Sequence, residues 1–266
     1  MKRPKVCILR TAGTNCDRET AYAFLKAGAE PELVHINTFI NARGKLDGYR
    51  IFAIPGGFSY GDDVAAGKIL ANELKYNLGE KLQDFIRSGK PIIGICNGFQ
   101  VLIKCGLLPG NSGFEQEASL IINDSARFED RWVYLKNLSF NRKQKCIWTK
   151  GLPGVIYLPV AHGEGKFAAR NKEVLRSLKR NNQAVFQYCD EKSGLAGYPA
   201  NPNGSQENIA GICDGTGRIL GLMPHPERHI LNSQHPRWTA GARHLRSGEA
   251  DGMLIFRNGV EYARKL

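Results

Sequence analysis

Residues 90–110, KPIIGICNGFQVLIKCGLLPG, carry the pattern with the most chemical content in the chain. An apolar run leads into Gly94-Ile95-Cys96-Asn97-Gly98, and a helical pattern follows from Phe99. Glycines two before and two after a candidate nucleophile match a nucleophile elbow, a strand-to-helix turn so tight that its central residue leaves ordinary backbone space. Such a turn lifts the thiol off the sheet at the start of a helix, where free N–H groups and the helix dipole favour the thiolate. Burial as a small, inert hydrophobe is the ordinary fate of a cysteine. It suits Cys7, Cys105, Cys146, Cys189 and Cys213, which lack the glycine bracket. Cys16, in Gly13-Thr14-Asn15-Cys16-Asp17, also follows a strand pattern and is the one rival nucleophile.

A cysteine nucleophile needs a base that takes its proton and later protonates the leaving group. In Gly221-Leu222-Met223-Pro224-His225-Pro226-Glu227-Arg228, His225 stands between two prolines just past a strand pattern, on a backbone they stiffen. Glu227, two positions on, has the reach to orient the imidazole and stabilise its protonated form. His162, in Pro159-Val160-Ala161-His162-Gly163-Glu164-Gly165, is the serious competitor; we place it beside the pocket, outside the proton relay. His35 reads as structural, His229 and His235 as loop residues after the triad, and His244 as part of a basic stretch. Attack on a carbonyl creates an oxyanion that backbone N–H groups must meet. Asn97, after the nucleophile, supplies one donor. The loop Pro55-Gly56-Gly57-Phe58-Ser59-Tyr60-Gly61-Asp62-Asp63, which follows another strand, supplies a second.

These pieces need a scaffold that brings several strand ends to one edge. The N-terminal half has that rhythm: strands over 6–9, 33–36, 51–54 and 92–95 alternate with helices over 17–27 and about 64–87. This is the pattern of parallel βαβ units with helices on both faces. Further strands are read over 118–122, 132–135, 155–160 and 184–188. Residues 209–212 and 218–223 flank Asp214-Gly215-Thr216-Gly217 as a hairpin, and a last helix runs from about 252 to 264. The expectation is one α/β domain over 1–266, with a mixed, mainly parallel sheet and residues 230–266 packed on it as a C-terminal extension. Residues 198–207 form a loop within that domain.

Length and composition agree. A chain of 266 residues, 42% hydrophobic and 23% charged, buries a sizeable core and matches an ordinary globular protein. No run approaches the roughly 20 apolar residues of a membrane span, and the start reads as no signal peptide. Seven cysteines with irregular spacing and no CxxC pair indicate neither a zinc framework nor a disulfide framework. They fit a reducing, cytoplasmic compartment. The net charge of +12 comes from basic residues scattered through the sequence, including KRPK at the start, RKQK at 142–145 and LKR at 178–180. With no aromatic interleaving, the charge reads as a solvated basic surface or a docking face for an acidic protein, and a nucleic-acid partner is not expected.

Gly-Gly after a strand, Gly-x-Cys-x-Gly-x-Gln and His-Pro-Glu, in that order along the chain, resemble the class I (triad) glutamine amidotransferases. The resemblance implies a flavodoxin-like sheet, with Cys96 as nucleophile, His225 as base and Glu227 as orienting acid. It also implies backbone donors at Gly57 and Asn97, and substrate contacts from Gln100, Gly56 and His162. The strings PGGFSYGDDVAAG, GICNGFQVLIKCGLLPG, PVAHGEGKF and GLMPHPER are more specific. With GTNCDRE, they are similar to the glutaminase subunits of phosphoribosylformylglycinamidine synthases, over residues 1 to about 230. Such a subunit hydrolyses L-glutamine and passes ammonia to a large synthetase subunit, with a small accessory subunit completing the complex. No Gly-x-x-x-x-Gly-Lys loop is present, so ATP and magnesium belong to the synthetase; no cofactor or metal is expected here. The alternatives are a triad amidotransferase serving another synthase, a binding-only subunit and a nucleic-acid-binding protein. The FSYGD and AHGEG strings, the intact triad and the scattered charge count against them in turn.

Overall fold

The computed structural model describes residues 3–41, 45–110, 114–140, 145–195, 197–240 and 249–266. His244 and residues 142–144 of the basic run lie outside them. In chain order the elements are β1 (Lys5–Arg10), α1 (Asp17–Lys26), β2 (Glu30–His35), α2 (Ile36–Ile40), β3 (Ile51–Ile54), α3 (Lys68–Arg87), β4 (Ile92–Ile95), α4 (Asn97–Lys104), β5 (Ala118–Ile122), β6 (Glu129–Asn137), β7 (Val155–His162), β8 (Glu164–Ala169), α5 (Lys172–Arg180), β9 (Ala184–Cys189), β10 (Ile209–Cys213), β11 (Ile219–Leu222) and α6 (Met253–Ala263).

The fold is α/β, built on a mixed nine-stranded sheet in the order β2-β1-β3-β4-β11-β10-β9-β6-β7. From β2 to β11 the ladders are parallel; from β11 to β7 they are antiparallel. The parallel half has the 2-1-3-4 opening of a flavodoxin-like sheet, with β11 in the next place. Its central strands β3 and β4 are buried along their whole length, which is why they read as continuous apolar runs rather than alternating ones. α1 packs with α6 through an edge-to-face pair, Phe24 on Phe256. α3 packs with α4 on the other side of the sheet. β5 and β8 form a separate antiparallel pair beside the antiparallel half.

The differences from the sequence reading have local causes. α3 begins at Lys68, not near 64, because Gly67 is left-handed (φ 73°) and its N–H donates to Asp62 Oδ1 at 3.1 Å, closing the preceding loop. α4 begins at Asn97, not Phe99, because Cys96 is itself the N-cap. β2 ends at His35, whose Nδ1 accepts from Asn37 N and caps α2. Only Gly163 separates β7 from β8. α5 had no counterpart in the sequence reading. Only Val174 and Leu178 of it are buried, and Asn171 caps it by accepting from Val174 N at 3.0 Å.

Candidate active site

The carboxyl ends of β1, β3, β4 and β11 lie side by side, and each sends its loop to the same edge of the sheet. The β4 end is the elbow. Cys96 has φ 51° and ψ −106°, a conformation that costs about 1–3 kcal/mol and persists only where packing dictates it. The bracketing glycines show what dictates it. A Cβ on Gly98 would stand 1.9 Å from the Ile54 carbonyl oxygen, and one on Gly94 would stand 2.5 Å from the Gly98 carbonyl oxygen. α4 therefore presses directly on β3 and β4, and the chain has no other way to turn. Cys96 N donates to Leu222 O at 2.8 Å, which ties the elbow to the strand that carries the histidine.

His225 follows β11, and its backbone N–H donates to Pro159 O at 2.8 Å. Its Nδ1 is 2.6 Å from Glu227 Oε1, and both side chains are buried. Among the described residues Nε2 has no partner in hydrogen-bonding geometry, and both Cys96 and Cys16 interact with this ring. Burial opposes the charged imidazole, but the Glu227 carboxylate and the two sulfur atoms outweigh it and hold the His225 pKa well above its ordinary value. The same groups favour the form of the ring that can act as an acid. The sulfur of Cys96 also lies 3.7 Å from Ala161 O, at the end of β7.

The remaining residues expected at the site converge on it, with some changes of part. Gly56 packs against it: a Cβ there would lie 2.8 Å from His225 Cε1, 3.1 Å from Cys16 Sγ and 3.5 Å from Cys96 Cβ. Gly57 has φ 147° and is hemmed in by the backbone of Gly13, Thr14 and Asn15, with which it forms an isolated antiparallel bridge at Thr14. As the first residue of α4, Asn97 has an N–H with no intrahelical acceptor. Its side chain accepts from Ser59 N at 3.2 Å and donates to Asp62 Oδ1 at 3.2 Å and Gln100 Oε1 at 2.9 Å. Gln100 is not on the helix surface; it is buried and donates to Glu164 O at 2.5 Å. Burial and the neighbouring His225 lower the His162 pKa to about 4, so this imidazole is neutral near pH 7. Its Nε2 is 3.4 Å from Asn203 Nδ2, on an amide that also donates to Gly165 O at 2.9 Å and Tyr188 OH at 3.2 Å.

The sequence reading missed one support and gave another residue a different part. Asn123 pins the β7–β8 corner, donating to His162 O at 2.8 Å and accepting from Gly165 N at 2.9 Å. Cys16, set aside as a rival nucleophile, stands at the same imidazole as Cys96. Arg228 Nη2 approaches its sulfur at 3.2 Å and Arg228 Nε donates to Glu19 Oε1 at 3.0 Å. Burial pushes the Cys16 pKa up to about 11. GTNCDRE held both Cys16 and Glu19 as a signal, but nothing in it pointed to His225. His229 and His235 are buried in an aromatic cluster with Trp132 and Tyr157, away from the relay.

A strained cysteine on a strand-to-helix turn, facing a carboxylate-held imidazole across the parallel edge of a flavodoxin-like sheet, defines the triad amidotransferase class. The family model described as CobB/CobQ-like glutamine amidotransferase domain matches residues 3–263, and the chain belongs to that family. It is 49% identical over 266 residues, covering the whole of both chains, to the phosphoribosylformylglycinamidine synthase subunit PurQ of Dehalococcoides mccartyi. It is 45% identical over 278 residues to the subunit of that name from Archaeoglobus fulgidus, covering 98% of each chain. Among solved structures, a chain of PurLQS from Thermotoga maritima is similar, with a TM-score of 0.73 and 29% identity over 98% of this chain and 99% of that one. A glutamine amidotransferase from the same organism, at 16% identity and a TM-score of 0.55 over all of both chains, shares the fold.

Proposed function

We propose that the chain is the glutaminase subunit of a phosphoribosylformylglycinamidine synthase: it hydrolyses L-glutamine and delivers the ammonia to a synthetase subunit in purine biosynthesis. The observation that carries this reading is the constellation Cys96–His225–Glu227, with a 2.6 Å His225–Glu227 contact, on a chain 49% identical from end to end to a PurQ subunit. Cys96 attacks the side-chain carboxamide of glutamine, and the Gly57 and Asn97 N–H groups receive the oxyanion. The His225 imidazolium gives its proton to the departing nitrogen, and ammonia leaves a glutamyl thioester. Water then attacks that thioester as His225 takes a proton; the C–S bond breaks, glutamate departs and the thiol is restored. Glu227 keeps Nδ1–H pointed at itself, so that Nε2 carries the exchangeable proton. Gly56 allows the two loops to close on His225. Gln100 and His162 shape the glutamine pocket from the α4 and β7 sides.

In this reading residues 1–266 are one amidotransferase domain. Support comes from the family match over 3–263 and from α6, whose Ile255, Phe256 and Val260 are fully buried in the core. The partners are a large synthetase subunit, to which ATP and magnesium are assigned, and a small accessory subunit, with no nucleic acid or membrane involved. The name PurLQS of the similar structure supports such an assembly. No helix among the described residues is long and apolar enough to cross a membrane. Seven free, buried cysteines suit a cytoplasmic setting.

The test is Cys96→Ser in the complex reconstituted with the synthetase and accessory subunits. Glutamine-dependent synthesis should vanish while ammonia-dependent synthesis persists, and a glutamine-analogue electrophile should label the Cys96 peptide of the unmodified chain only. Residual glutamine turnover by the variant would remove Cys96 from its role.

A further inference from the structure

Cys16, Glu19, His225 and Glu227 each present a donor atom, and all four atoms lie within 4.8 Å of one another. A tetrahedral zinc ion holds its donors about 3.3–3.8 Å apart, so closure needs shifts on the order of 1 Å. The chemistry of the set is that of a borderline-soft cation: one thiolate, one imidazole and carboxylates. Among the described residues, His225 Nε2 and Glu227 Oε2 are buried and have no hydrogen-bond partner. With Glu227 on Nδ1, the imidazole is oriented as zinc-bound histidines are, ring nitrogen outward and carboxylate behind. A cation already stands among these groups: the Arg228 guanidinium, bonded to Cys16 Sγ at 3.2 Å and Glu19 Oε1 at 3.0 Å. Its side chain is 36% exposed, so it has a path to solvent when displaced. No sequence spacing announces the site, because β1 and β11 supply its halves from opposite ends of the chain.

We propose that Cys16, Glu19 and His225, backed by Glu227, form an inhibitory site for a thiophilic divalent cation such as Zn²⁺, one that silences the glutaminase by occupying its base. The ion takes the Nε2 lone pair, so His225 can no longer exchange a proton with Cys96. Binding releases the Cys16 proton and the His225 Nε2 proton to solvent and moves Arg228 aside. Oxidation state does not change, and removal of the ion restores the resting site. Magnesium, which favours all-oxygen octahedral surroundings, does not compete. The proposed synthetase can therefore run on MgATP while the glutaminase answers to a different cation. This inference rests on the triad reading for its consequence, although the binding itself does not.

The experiment titrates the purified full chain with Zn²⁺ against a chromogenic zinc chelator and repeats the titration with variants. One equivalent should bind to the unmodified protein and should protect Cys16 from alkylation, as read by peptide mass. Cys16→Ser and Glu19→Gln should each weaken binding at least tenfold, Arg228→Gln should tighten it, and Cys96→Ser should leave it within about threefold. Mg²⁺ at millimolar concentration should give no signal. In the glutaminase assay Zn²⁺ should inhibit and EDTA should restore the rate. For Cys16→Ser, the zinc concentration for half inhibition, relative to its own chelated rate, should rise at least tenfold. Zinc affinity that depends on Cys96 and not on Cys16 would overturn the proposal, as would weaker binding by Arg228→Gln or no binding by the unmodified chain. If zinc binds as described while electrophile labelling misses Cys96, the triad reading fails and the metal site stands.

Discussion

Gln100 joins α4 to the start of β8: its Nε2 donates to the Glu164 backbone carbonyl at 2.5 Å, and its Oε1 accepts from Asn97 Nδ2 at 2.9 Å. The side chain is buried, so neither bond can be replaced by water without disturbance. Through Asn97 the same chain of bonds reaches Ser59 N and Asp62 Oδ1 in the β3 loop. One amide therefore sets α4, the loop after β3 and the His162 segment at fixed distances. Gln100→Ala should cost about 1–3 kcal/mol in urea unfolding, because buried partners are left unmet. It should also lower glutaminase kcat/KM by on the order of tenfold to a hundredfold through misplacement of the Asn97 donor. A variant with normal kcat/KM would show that the bridge does not position the site.

In the proposed relay Glu227 and His225 act as a unit but not as equals. His225→Ala removes the proton carrier and should leave glutamine turnover near background. Glu227→Gln keeps the shape but accepts a poorer hydrogen bond from Nδ1 and removes the charge that raises the ring's pKa. Its kcat should fall by roughly a hundredfold or more, still above that of His225→Ala. The reverse ranking in steady-state kinetics would exchange the two roles.

The glycines of the elbow make a sharp stability test. Gly98→Ala puts a Cβ 1.9 Å from the Ile54 carbonyl oxygen, where only backbone movement can relieve the clash. The cost should be about 3 kcal/mol or more. Gly151→Ala, at a positive φ of 70° but with nothing within 4 Å, should cost only about 1–2 kcal/mol for its left-handed backbone. Equal losses of thermal stability in the two variants would mean that the contact of α4 with β3 is looser than described.

The two neighbouring histidines bend stability in opposite directions with pH. His162 is lowered to about 4 in the fold, so between about 6.5 and 4 the unfolded chain binds the proton more readily. Its contribution, about 3 kcal/mol, is complete above about pH 6.5 and lost as pH falls through about 4. His225 is raised, so its contribution is complete below about pH 6.5 and fades as pH rises through its folded pKa. Urea unfolding from pH 4 to 7 should show His162→Gln with a flatter acid limb than the unmodified chain. An unchanged slope would assign the acid loss to other groups.

The basic surface gives a further expectation. If the +12 charge serves docking, the dissociation constant for the purified synthetase should rise several-fold between 50 and 300 mM salt. Affinity indifferent to salt would separate the charge from assembly.

Local sequence determined the elbow and the triad candidates. Gly94-Ile95-Cys96-Asn97-Gly98 is legible because a backbone forced to φ 51° at Cys96 leaves its mark within a few residues, as glycines where a Cβ has no room. The candidates His225 and Glu227 stood out by the prolines that flank the histidine. β3 and β4 were read with their observed bounds because a strand buried on both faces is apolar throughout. Tertiary structure alone decided which residues from different strand ends meet. Gln100 looks like any polar residue on a helix until Glu164 arrives beside it. Cys16 looks like a rival nucleophile until the 2-1-3-4 strand order brings the end of β1 against the loops of β3 and β11. Spacing along a chain records only what a residue's neighbours in sequence demand of it. The groups that share one imidazole here are about two hundred residues apart, and packing alone selects them.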